Sequence, residues 1–198
     1  MLSEDAKVEV LHAHYVDTFG HIRNALSQRD RLFAYIVITV TVMLLQVVAP
    51  EDTDAAIGKI ISEKLALTGT LSLSLLGTVL WFALLGFVIR YFQSVVYVER
   101  QYEYIHSLEA LLAANYGGTA FTREGKSYLS GYPLFSKWTW ALYTIVFPVL
   151  LIAVLGLKLA TEFFRTIQLG WLFAFNALTF GAISVSVVLY LVSLHGKK

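Results

Sequence analysis

The chain has 198 residues, 57% hydrophobic and only 15% charged, with a formal net charge of +1 and a mean hydropathy of +0.66. A soluble domain of this size carries about 25% charged residues, and nucleic-acid binding leaves a basic footprint that this balance lacks. The figures exclude a soluble enzyme domain, a disordered chain and direct nucleic-acid binding, and they leave an all-α membrane protein.

The elements follow in chain order. Residues 1–31 open with Met1-Leu2-Ser3-Glu4-Asp5, and the first apolar run starts only at Leu32. A signal peptide has a basic start followed at once by a short apolar core, so the first run is expected to be an uncleaved anchor. Val8, Leu11, Tyr15, Ile22 and Leu26 recur at helical spacing and predict an amphipathic helix, with Ser3, Glu4 and Asp5 as its cap.

Four runs contain no Asp, Glu, Lys or Arg: residues 32–49, 65–89, 138–157 and 167–194. A helix needs about 20 apolar residues to cross a bilayer core, so these are read as four transmembrane helices. The β-branched stretch 36–42 would favour a strand in water, but in lipid the backbone must satisfy its own hydrogen bonds, and helix wins. Between the runs lie a short outer loop over 50–64, a cytoplasmic helix and loop over 90–137, and a second outer loop over 158–166. Residues 195–198 form the tail. Ile57, Ile60 and Ile61 suggest one amphipathic turn inside the first outer loop. Pro148 is expected to bend the third span.

Orientation follows from the basic residues. Eleven of them lie on the side of the termini and the middle loop, against Lys59, Lys64, Lys158 and Arg165 on the other. The positive-inside rule predicts a multipass protein of a bacterial inner membrane with both termini in the cytoplasm. Lys137, Trp138, Trp140 and Tyr143 resemble an interfacial anchor.

The segment 90–115 is expected to continue the second span as a helix. Its apolar residues Val95, Val98, Tyr102, Ile105, Leu108 and Leu112 make nearly an a/d seam, stopped by Asn115-Tyr116-Gly117-Gly118. The fold class is thus four transmembrane helices with two amphipathic cytoplasmic helices. Those two helices can pack on each other, on other copies or on a cytoplasmic protein partner. The irregular stretch 119–136 is read as a connector on the membrane surface.

No catalytic constellation is found, and no enzyme, cofactor or metal site is predicted. There is no cysteine, which removes thiol catalysis and Cys-ligated metals. His14 and His21 share a helix face, but no carboxylate makes a convincing metal site with them. The four runs hold only uncharged polar residues, which argues against a proton-coupled transporter.

Two patterns in the spans have a mechanism. Gly170, Ala174, Ala177, Gly181 and Ser184 recur at four, three, four and three and make a small-residue stripe. Lipid does not drive helices together, so such a stripe predicts close helix packing, within the chain or in a homo-oligomer. Thr70, Ser74, Gly77 and Thr78 make a weaker second face. Gln46 and Asn176 are expected either to hydrogen-bond between helices or to line a pore between subunits.

The stretches Tyr97-Val98-Glu99-Arg100-Gln101-Tyr102-Glu103-Tyr104-Ile105 and Arg123-Glu124-Gly125-Lys126-Ser127-Tyr128, set in this layout, resemble small membrane proteins of bacterial anti-phage systems. These are the four-span accessory protein associated with Cas13b and the two-span SLATT effectors. The resemblance implies an oligomeric accessory or effector protein that permeabilises or depolarises the membrane when a cytoplasmic partner senses infection. The alternatives are a passive anchor for a cytoplasmic partner and a small channel or transporter.

Overall fold

The computed structural model describes residues 4–65, 73–116, 134–165 and 170–195. These are helical throughout apart from short breaks: α1 (Glu4–Val48), α2 (Pro50–Leu65), α3 (Leu73–Tyr116), α4 (Leu134–Ala141), a π-helical turn (Leu142–Val146), α5 (Phe147–Arg165) and α6 (Trp171–His195). Four of the helical stretches are long and apolar enough to cross a membrane: Ala6–Val48, Leu75–Ala114, Leu134–Phe164 and Trp171–Ser193. The chain is a multipass, all-α membrane protein. Gly117 and Gly118, Thr70, Ser72 and the stretch 119–133 lie outside the described residues.

The chain divides into two compact units: Met1–Arg31 with Tyr91–Ala141, and Leu32–Arg90 with Leu142–Lys198. Helices α1 and α3 contribute to both, and neither is interrupted.

In the first unit α1 and α3 run antiparallel. Ser94 Oγ donates to the Ala25 carbonyl at 3.1 Å, and Tyr15 Oη donates to Glu109 at 3.2 Å. Thr18, Ile22 and Ala25 of α1 are buried, as are Val98, Ile105, Leu108 and Leu112 of α3. Of the expected α3 seam, Val95 and Tyr102 are half-buried. Of the expected α1 stripe, Ile22 is buried, and Leu11 and Tyr15 are half-buried on the same side. Thr18 and Ala25 complete that side, Ala25 in place of the half-buried Leu26, because the buried positions keep a strict four-three alternation.

Besides α2, the second unit holds four long helix segments that alternate in direction. Phe33 near the start of its α1 segment meets Tyr143 in the π turn and Phe147 at the start of α5. Tyr35 meets Phe87, near the end of this unit's α3 segment, and Phe82, mid-way along that segment, meets Phe175 early in α6. Phe163 at the end of α5 meets Phe173 at the start of α6. The core is Ile36 and Met43 of α1, Trp81, Leu84 and Val88 of α3, Leu151 and Leu155 of α5, and Ile183 and Val187 of α6. Outward residues such as Ile38, Phe82, Leu150, Leu178 and Leu189 are exposed and apolar. That is the pattern of helices whose outer surface faces hydrocarbon.

Two sequence expectations are corrected. The stretch 50–64 is not a loop: after one bend at Ala49 the chain restarts as α2, with Pro50 at its first position and Glu51 and Asp52 in its first turn. The described part of the stretch 158–166 is not a loop either, since α5 continues to Arg165. Pro148 is preceded by a full π turn. Proline has no N–H to return to the carbonyl of Thr144, and a wider turn accommodates the missing bond.

Candidate functional site: a polar end to the bundle

The hydroxyls of the spans mostly satisfy themselves. Thr39, Thr41, Thr179, Ser184 and Ser186 each donate to the carbonyl four residues back, at 2.8–2.9 Å. Such bonds place no demand on a neighbouring helix. The interhelical polar contacts are made elsewhere, around Glu162.

Glu162 belongs to the inward face of α5. Thr144, Pro148, Leu151 and Leu155 are buried at spacings of four, three and four. The next positions in that alternation are Lys158 and Glu162. A residue at these steps returns to the same side of the helix whatever its chemistry, so both side chains enter the bundle. Lys158 is 8% exposed, and the Glu162 side chain keeps 20% of its surface.

Three donors converge on the Glu162 carboxylate. Trp81 Nε1 of α3 donates to Oε1 at 3.2 Å, and Asn176 Nδ2 of α6 donates to Oε2 at 2.9 Å. Lys158 Nζ, one turn back on α5, lies 3.4 Å from Oε1. One carboxylate therefore ties together α3, α5 and α6. Trp81 itself is fully buried and stands edge-on to Phe180. Asn176 Oδ1 and Gln46 Oε1 are buried without a hydrogen-bond partner. The alternating helix directions bring Gln46, in the last turn of α1, to the end of the bundle where Glu162 lies.

The sequence-predicted residues fall into three groups. Asn176 and Gln46, at 5% and 7% exposure, are buried inside the bundle of a single chain. For Asn176 the interhelical bond is observed. The stripe goes the other way. Gly170 and Ala174 are exposed, and Ala177, Gly181 and Ser184 are half-buried. A Cβ added at Gly170 or Gly181 would meet nothing within 4 Å. The buried face of α6 runs through Asn176, Thr179, Ile183, Val187 and Tyr190. At 100° per residue the stripe lies about 140° around the helix from it. The α3 seam makes the third group and closes the first unit on α1.

Sequence reasoning missed Lys158 and Glu162 because it ended the third span at its first charge. The signal was present in the spacing from Pro148 onward. Among the described residues no group of three or more His, Asp or Glu is placed to hold a metal ion. His14 Nε2 instead shares a hydrogen bond of 2.8 Å with Tyr104 Oη.

No protein family, curated protein or solved structure matches the chain.

Proposed function

We propose that the protein is a self-associating membrane effector or accessory protein, held in a bacterial inner membrane with both termini cytoplasmic. Its α1–α3 pair takes the input from a cytoplasmic partner. The observation that carries this reading is the outward-turned stripe on α6. The chain's own bundle leaves Gly170 and Ala174 exposed and covers Ala177, Gly181 and Ser184 only in part, and small residues let a second helix approach closely in lipid, where apolar burial supplies no force. The resemblance to anti-phage membrane proteins supplies the kind of output, a change in membrane permeability.

The test is the mass of the particle in native nanodiscs, with a potential-sensitive dye read in the same cells. Gly181→Leu is expected to lower the particle mass toward a single chain and to abolish depolarisation. A wild-type particle that is already a single chain overturns the self-association.

A second reading, an anchor for a cytoplasmic enzyme, draws on a separate observation. Asn176 and Gln46, for which pore lining was one of the two expected roles, are buried within one chain. Under the anchor reading the assembled protein leaves the membrane potential unchanged, whatever partner is co-expressed.

A further inference from the structure

The polar end of the bundle has an unbalanced hydrogen-bond inventory. Asn176 gives one N–H to Glu162, and its Oδ1 is buried with no donor. Turning the amide over does not help. It would set Oδ1 against Glu162 Oε2 and leave Nδ2 without an acceptor. Lys158 carries three N–H donors, and Glu162 takes one of them. The residues with the spare acceptor and the spare donors thus meet the two oxygens of one carboxylate, inside a bundle whose core is mostly apolar.

The mismatch discriminates between ligands. A metal cation would satisfy Asn176 Oδ1 but would place a second positive charge beside the Lys158 ammonium. An anion would satisfy Lys158 but would face the Glu162 carboxylate and Asn176 Oδ1. Water satisfies both sides, donating to the amide oxygen and accepting from the ammonium. A buried acceptor left without a donor costs more than immobilising a water molecule. The entry route is short, because Glu162 lies three residues before the end of α5, about 4.5 Å along the axis, and its side chain is partly exposed.

We propose that this end of the bundle is a hydrated site, which holds water between Lys158 and Asn176 and opens Glu162 to the aqueous phase beyond the end of α5. Gln46 Oε1, a second buried acceptor without a donor at the same end, extends the site toward α1. The groups that face Glu162 are Trp81 from α3, Asn176 from α6 and Lys158 from its own helix. The inference needs only that the bundle spans a membrane. It holds whether the protein is an effector or an anchor.

The experiment is NMR on the full chain in nanodiscs, with asparagine side chains and tryptophan indoles labelled with 15N. The sequence has three asparagines and four tryptophans, so Asn176→Leu and Trp81→Phe assign the two signals. The expected result is cross-peaks between water and the Asn176 side-chain amide. They should remain when sodium is replaced by choline. The Trp81 indole N–H should exchange into D2O at least about tenfold faster than the backbone amide of Leu84, and Asn176→Leu should remove that difference. Two results overturn the proposal. One is the absence of water cross-peaks with Trp81 as protected as Leu84, which means a dry cluster. The other is a saturable sodium-dependent shift of Asn176 in place of the water signal, which means a cation site. The wild-type spectra decide the matter even where a variant fails to fold.

Discussion

Glu162 receives donors from Trp81, Asn176 and Lys158, and each of those donors would be left buried and unpaired by its loss. Breaking a buried ion pair by removing one partner costs about 3–5 kcal/mol, whereas replacing both partners with apolar groups is often close to neutral. Glu162→Leu is therefore expected to destabilise the bundle by about 3 kcal/mol or more, as is Lys158→Leu. The double replacement should cost clearly less than the sum of the two. Unfolding titrations in mild detergent measure all three. Equal and additive losses would show that the two side chains do not act as a pair. Single-residue chemistry was only partly legible in the sequence. Asn176 stood out because an amide is conspicuous in an apolar run. Lys158 and Glu162 did not, because a charge next to such a run reads as its boundary.

At the scale of elements, periodicity carried more than composition. Positions 18, 22, 25, 32, 36, 39, 43 and 46 of α1 are all buried, in a four-three alternation that skips only the half-buried Arg29. A repeat of seven sustained over that length is the mark of helices packed along a seam. On α3 the same reading of Val98, Ile105, Leu108 and Leu112 met buried residues. Ile22 is almost completely enclosed in the first unit. Ile22→Ala is expected to cost about 2–5 kcal/mol. The measurable effect is faster hydrogen exchange in residues 91–116 of the full chain, with protection of α5 and α6 unchanged. Loss of protection throughout the chain would show that the two units unfold together. The helical state of 50–65 was less legible. Acidic residues after a proline read as a connection, yet proline at a first helical position followed by acidic residues is equally a helix start.

For the molecule as a whole, four apolar helices, and no strand among the described residues, were plain from the sequence, since only helices and closed barrels satisfy the backbone in lipid. How each helix is turned was not. The stripe of α6 and its buried face are both composed of small and mid-sized residues, and only the packed structure shows which one the chain keeps for itself. That choice underlies the assembly proposed above. It makes Gly181→Leu a variant expected to fold and insert while losing its partners, since no other helix lies within 4 Å of a Cβ added there.

The charged end of α5 bears on how the chain enters the bilayer during synthesis. Lys158 and Glu162 each raise the cost of releasing that helix into lipid, by up to about 2.5–3.5 kcal/mol at mid-bilayer depth and less near its end. Trp81 has already been made when α5 emerges, but Asn176 follows fourteen residues after Glu162. Lateral release is therefore favoured once α6 has emerged, so that α5 and α6 leave the translocon as a hairpin against a waiting α3. The polar end that links the helices in the finished protein also sets the order of its construction.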